Sequence, residues 1–251
     1  MYNLGLVGKN LQHSGSKIYF ENKFKKEGLK NFTYNLYELR KIEEFNTLLK
    51  TKNITGLNVT YPYKESIINH IDQLDVISKK TRSVNTLFIN KKNNIKGYNT
   101  DVFGFEKSLE SFLNSSKIKA LVLGNGGVSK SICYVLEKKN IEYLVVSRKP
   151  NNDNIISYKN SKKYLETHKL IINTTILGGQ EYIKKFPQIN YDMLSKKHYM
   201  YDVIYNPIET LFLKKGKKKG ANILNGQKML ILQAELSFEI WKKQIQGIKH
   251  V

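Results

Sequence analysis

The chain is poor in several kinds of residue. It has one cysteine, Cys133, which excludes a disulfide framework and any multi-cysteine zinc site. Its five histidines, His13, His70, His168, His198 and His250, show no metal-ligand spacing, so no metal is expected. No apolar run approaches the ~18–20 residues that a membrane span needs. The first residues, Met1 to Gly8, lack the basic start and cleavage pattern of a signal peptide. A soluble protein of a reducing compartment, cytoplasmic, is the expectation. Acids are also scarce: 21 Asp and Glu stand against 42 Lys and Arg, a formal net charge of +21 over 251 residues.

Such a surplus invites a nucleic-acid reading, because basic surfaces collect phosphates. Arginine is nearly missing, however. Only Arg40, Arg82 and Arg148 occur, which leaves 39 lysines. Lys, Asn and Ile together make up 91 residues, and all three have A/T-rich codons. A biased genome inflates this set without selection for binding, whereas a dedicated nucleic-acid binder usually shows more Arg and stacking aromatics. The charge therefore reads as background, and no nucleic-acid or membrane partner is expected. At 40% hydrophobic the chain is too apolar for disorder, and its length suffices for one large domain or two small ones.

The first hundred residues alternate strand-like and helix-like segments. Strands are expected at Leu4–Val7, Phe32–Glu38 and Gly56–Val59, and helices at Ser16–Gly28 and Ile42–Lys50. A further helix is expected from Pro62 to about Asp72. Val84–Asn90 and Asn94–Tyr98 form a hairpin pattern. Beyond Asp101 the pattern restarts. Phe103–Leu113 reads as a helix and Ala120–Leu123 as a buried strand. Gly124-Asn125-Gly126-Gly127 is a glycine turn, followed by a helix over Ser129–Lys138 and a strand over Tyr143–Val146. Further strands are expected at Leu170–Asn173 and Tyr199–Ile204, and a last helix over about Leu230–Lys243 with Phe238 and Trp241 in the core. Asn151–Asn160 is the most loop-like stretch. Cys133, inside a helix pattern, reads as packing.

Strand, glycine turn, helix and strand within about thirty residues is the unit that binds dinucleotides, the pyrophosphate lying at the helix N-terminus. Ser129 stands in place of the third glycine. The second strand ends in Ser147-Arg148-Lys149, without the acid that binds an NAD ribose. An arginine fork and a lysine suit a 2′-phosphate instead, which points to NADP(H) over NAD.

Four stretches in the first half are dense in small polar groups: His13-Ser14-Gly15-Ser16, Asn58 to Lys64, Val84-Asn85-Thr86 and Gly97 to Asp101. Each falls at a strand end or loop, where α/β sheets place ligands. Ser14 and Ser16 also fit as helix caps, Asn85 as a turn residue, and His13 as a substrate contact or a structural residue. These blocks, with the glycine turn, Ser147-Arg148, Asn173-Thr174-Thr175, Tyr205-Asn206-Pro207 and Leu224-Asn225-Gly226 leading to Gln233, resemble the shikimate dehydrogenases nearly end to end.

The resemblance implies NADPH-dependent, reversible reduction of 3-dehydroshikimate to shikimate, on the route to aromatic amino acids. It implies an α/β architecture: an N-terminal substrate domain, residues 1–101 completed by 227–251, and a Rossmann-type NADP-binding domain, residues 102–226. The active site would lie in the cleft between them. Lys64 would be the acid/base residue, paired with Asp101. Ser14 and Ser16 would bind the substrate carboxylate with help from Tyr205, and Thr60, Asn85, Asp101 and Gln233 the ring hydroxyls. Gly124, Asn125, Gly126, Gly127, Val128, Ser147, Arg148, Lys149, Val203 and Gly226 would contact the cofactor. The chain departs from the common family pattern at Lys17, Phe20, Ser147, Lys149 and Gly179, where proline, histidine, asparagine, threonine and methionine are usual. The small-molecule substrate is the implied partner, with the chain a monomer or homodimer. An NAD-using quinate/shikimate dehydrogenase is the nearest alternative.

Overall fold

The computed structural model describes residues 1–12, 14–113, 117–150 and 154–248. It divides into two compact units, Met1–Phe103 with Leu230–Val251, and Gly104–Met229.

The first unit opens with β1 (Tyr2–Gly8), α1 (Gly15–Lys26), β2 (Phe32–Glu38), α2 (Glu44–Thr51) and β3 (Gly56–Val59). β1 is flanked by β2 and β3, parallel to both. β4 (Gln73–Leu74), α3 (Val76–Thr81), β5 (Thr86–Ile89) and β6 (Ile95–Tyr98) follow, and α4 (Asp101–Glu110) leads out. The sheet order is β2-β1-β3-β5-β6-β4, with β5 antiparallel to β3 and β6. The hairpin is as expected, because Lys91 and Asn93 leave a solvated turn between two buried runs.

The helix expected from Pro62 does not form. A single 3₁₀ turn, Ser66–His70, stands there instead. The Lys64 carbonyl accepts the Val84 N–H at 2.8 Å, so it is taken out of the helical ladder, and the Ile68 N–H bonds three residues back to Glu65. Asp101, expected just before a helix, is instead the first residue of α4, where a carboxylate meets the positive end of the helix dipole.

The second unit contains β7 (Ala120–Leu123), α5 (Gly127–Lys138), β8 (Tyr143–Ser147), β9 (Ile155–Ser157), α6 (Tyr158–Ser161), β10 (Leu170–Asn173), β11 (Tyr199–Asp202), α7 (Leu211–Lys217) and β12 (Asn222–Leu224). All six strands are parallel, in the order β12-β11-β10-β7-β8-β9. This is the doubly wound order, which reverses between β7 and β10. β7 and β10 are fully buried apolar runs, as strands covered on both faces require. The segment read as loop, Asn151–Asn160, contains β9 and the start of α6; its residues 151–153 lie outside the described ones. Ile155 is buried and Ile156 packs on the core, but two apolar residues in a three-residue edge strand are too few for a periodic signal.

The last described element is α8 (Gln227–Ile248), longer at both ends than its apolar pattern indicates. Ala234, Phe238, Trp241 and Ile245 pack with Phe20, Phe24 and Tyr34 in the first unit. Trp241 is fully buried and donates its indole N–H to the Leu87 carbonyl at 2.8 Å. A Cβ on Gly56 would lie 2.4 Å from that indole nitrogen, so glycine is what lets the ring approach the sheet. No helix among the described residues is long and apolar enough to cross a membrane.

Candidate active site

One edge of the first sheet gathers the polar blocks. β1 and β3 end there at Gly8 and Val59, β5 begins there at Thr86, and β6 ends there at Tyr98. The loops leaving this edge carry Thr60, Lys64, Asn85 and Thr100, and Asp101 opens α4 there.

Lys64 donates from Nζ to Asp101 Oδ2 at 2.7 Å, and both side chains are largely buried. The other oxygen, Oδ1, accepts from Asn85 Nδ2 at 3.0 Å. Two donors on separate oxygens fix the plane of the carboxylate, which in turn fixes Nζ. The ammonium keeps further N–H groups to offer to an oxygen beside it. Asn85 Nδ2 also lies 3.1 Å from Gln233 Oε1, so α8 meets the pair through that amide. Asn85 is not a turn residue: it is 2% exposed, and its Oδ1 accepts from the Thr100 N–H at 2.8 Å.

Beneath these groups lies a second layer that sequence reasoning missed. The Ser237 hydroxyl is within hydrogen-bond distance of Thr86 (2.8 Å) and Thr100 (3.0 Å), and it donates to the Gln233 carbonyl at 2.8 Å. Asn58 donates to Ser237 and Thr86 and accepts from the Tyr34 hydroxyl at 2.8 Å. The available signal was the placement of Gln233 and Ser237 four residues apart, on one face of a helix.

Ser14 and Ser16 stand at the start of α1. Ser14 occupies the N-cap position but makes no side-chain cap bond, and Ser16 is buried. No hydrogen bond among the described residues joins either hydroxyl to the Lys64 cluster. His13 lies outside the described residues. Tyr205 belongs to the second unit, in the loop between β11 and α7.

In the second unit the glycine turn follows β7 where the strand order reverses. Gly124 has φ +113, and a Cβ on it would meet Thr174 Oγ1 at 2.6 Å, so the fold itself demands glycine there. Gly126 is different. Its φ is −113, and a Cβ would meet nothing within 4 Å. The turn thus leaves space at the N-terminus of α5, whose first turn carries no acid. That is a cradle suited to a phosphate. Arg148 and Lys149 are exposed just beyond β8, the strand beside β7, and Ser147 Oγ accepts the Lys149 N–H. Val203 and Gly226 are brought together: a Cβ on Gly226 would lie 2.1 Å from the Val203 carbonyl oxygen. Asn125 and Val128 lie in the same turn and the first turn of α5. The donor set and the open turn fit a dinucleotide with a 2′-phosphate.

Cys133 is inert in this setting: burial pushes its thiol up to about 11. No group of three or more metal-ligating side chains gathers among the described residues.

Residues 6–87 match the family model for the shikimate dehydrogenase substrate binding domain. A shikimate dehydrogenase (NADP(+)) of Clostridium botulinum is 35% identical over 99% of this chain and 99% of its own. The chain belongs to the shikimate dehydrogenase family. A Pelagibacter ubique shikimate dehydrogenase (NADP(+)) is 39% identical over 97% of this chain and 94% of its own. Among solved structures, shikimate dehydrogenase 1 of Peptoclostridium difficile superposes with a TM-score of 0.87 at 32% identity, covering 97% of this chain and 92% of that one. Membership in the shikimate dehydrogenases accounts for both sheets.

Proposed function

We propose that this chain interconverts 3-dehydroshikimate and shikimate with NADP(H). The first unit would take the acid and the second the dinucleotide. The observation that carries the reading is the buried Lys64–Asp101 pair at 2.7 Å, with Asn85 holding the far oxygen of the carboxylate. The curated relatives, shikimate dehydrogenases (NADP(+)), support the substrate and the cofactor.

NADP(H) held by the second unit would supply the hydride in one direction and take it up in the other. The chain's own residues manage the oxygen. During reduction, negative charge grows on the substrate carbonyl oxygen, and the Lys64 ammonium beside it offsets that charge and delivers the proton. During oxidation, the same nitrogen takes the hydroxyl proton. Asp101 aims Nζ throughout, and Asn85 and Gln233, which adjoin the pair, would bind ring hydroxyls. Ser14, Ser16 and Tyr205 would hold the carboxylate, and Thr60 a hydroxyl. Arg148 and Lys149 would grip the 2′-phosphate. The turn from Gly124 through Val128 would cradle the pyrophosphate, with Ser147, Val203 and Gly226 completing the contacts.

The test is Lys64→Ala. Turnover is expected to fall about 10²–10⁴-fold, the usual span for a lost general acid/base. NADPH binding, followed by nucleotide fluorescence, should stay near wild type, and unfolding should stay cooperative with a lowered midpoint, because the buried Asp101 carboxylate loses its partner. Near-normal turnover in that variant would remove the acid/base assignment.

A further inference from the structure

Two acids are buried among the described residues, Asp101 and Asp202. The second has no part in the chemistry at Lys64. It is the last residue of β11, in register with Asn173 at the end of β10, and it is completely shielded from solvent. Three donors converge on it. Its Oδ1 accepts from Asn173 Nδ2 at 3.0 Å and from the Ile204 N–H at 3.0 Å, and its Oδ2 accepts from the Thr210 hydroxyl at 2.6 Å.

Each donor governs a loop at the carboxyl edge of the second sheet. Asn173 holds the loop after β10: its Oδ1 accepts from the Thr175 N–H and hydroxyl, and its Nδ2 also reaches the Leu177 carbonyl at 3.2 Å. Ile204 follows Val203, and its carbonyl accepts the Gly226 N–H at 3.0 Å, which fastens the turn before α8. Thr210 closes the loop after β11 and caps α7 by accepting from the Leu213 N–H. The first and last loops touch, since a Cβ on Gly178 would lie 3.1 Å from Thr210 Cβ.

Resting on the reading of the second unit as the dinucleotide-binding one, we propose that Asp202 is a positioning residue for NADP(H). It touches no ligand itself but locks the 174–179, 203–210 and 225–226 segments into one binding surface. The charged carboxylate accepts all three donors. A protonated one has an acceptor fewer: its Oδ2 donates, and the Thr210 hydroxyl must give up its own donation and turn to accept. Burial pushes this carboxyl up to about 7, against the three hydrogen bonds that favour the anion. The titratable groups facing it are Tyr201 on its own strand and Tyr191 before it; burial raises both phenols, so they stay neutral. No cation forms an ion pair with Asp202 among the described residues. The surface therefore tightens as pH rises through neutrality.

The experiment measures NADPH affinity of the full chain by nucleotide fluorescence from about pH 6 to about pH 8.5, a range that brackets this titration. Wild type is compared with Asp202→Asn, Thr210→Val and Thr210→Ser, each checked for cooperative unfolding. Asp202→Asn keeps the shape but cannot accept all three donors. It is expected to bind NADPH about tenfold more weakly at the high-pH end, a difference of ~1.4 kcal/mol. It should also lose the part of the pH dependence that wild type shows beyond the titration of the nucleotide phosphate, which is common to both proteins. Thr210→Val should weaken binding in the same direction, and Thr210→Ser should restore it. Folded Asp202→Asn with wild-type affinity at both ends of the range would overturn the proposal. If Asp202→Asn does not fold, unchanged affinity in Thr210→Val overturns it instead. A wild-type chain that takes up no NADPH overturns the dinucleotide reading and this inference with it. Equal binding by wild type and variants overturns this inference alone.

Discussion

At the level of single side chains, meaning comes from neighbours. Lys64 is one of 39 lysines, and nothing in its own chemistry separates it from the rest. What separates it is a buried carboxylate at 2.7 Å, itself pinned by an amide. Among the described residues, most other ion pairs involve exposed partners, such as Lys119 with Glu142, and pairs of that kind contribute little to stability. Arg148 is the counterpart in the second unit: an exposed side chain just beyond β8, the strand beside β7, with no acid in Ser147-Arg148-Lys149. Removing its fork in Arg148→Ala should raise the KM for NADP⁺ about tenfold or more, the scale of a lost charge-assisted hydrogen bond, and leave the KM for NAD⁺ nearly unchanged. Steady-state kinetics with both nucleotides checks this; equal effects on the two would contradict a 2′-phosphate role. The ordered polar blocks singled out Lys64, Asn85 and Asp101, the family resemblance added Gln233, and the structure brings the four side chains together. Ser237 and Asp202 were not, because a lone serine in an apolar helix and a lone acid at a strand end look like any others until the fold surrounds them.

Secondary-structure elements explain which parts of the fold could be read in advance. Strands buried on both faces, β7 and β10, announce themselves as unbroken apolar runs. The edge strands β4, β9 and β12, two or three residues long, carry no comparable pattern. The helix expected after Pro62 failed for a reason no local signal contains: the Lys64 carbonyl is claimed by Val84, twenty residues on. That same bond holds the backbone of Lys64 against the segment that carries Asn85 into β5, so the departure from helix serves the site. α8 closes the first unit through Trp241, seated over Gly56. Gly56→Ala puts a methyl into the indole nitrogen and should destabilise by about 1–3 kcal/mol, the range for overpacking a filled core. Chemical denaturation checks it. A midpoint unchanged from wild type would mean that the ring can move aside at no cost.

For the whole molecule, the surplus of lysine remains a background. A field of +21 raises the local concentration of anions, and both proposed ligands are anionic. It does not by itself choose them. The choice rests on two sheets with distinct chemistry: one whose edge presents a held ammonium among amides and hydroxyls, the other a parallel sheet with an open phosphate turn. The family relationship joins them in one reaction, and the most direct check of that reaction is the initial rate of shikimate oxidation by the purified chain, followed by nicotinamide absorbance, with NADP⁺ and NAD⁺ and with shikimate and quinate. The expected result is turnover of shikimate with a kcat/KM for NADP⁺ at least about tenfold above that for NAD⁺, as one 2′-phosphate contact would give. A folded chain that oxidises neither acid with either nucleotide, or one that works on quinate with NAD⁺ in preference, would contradict it.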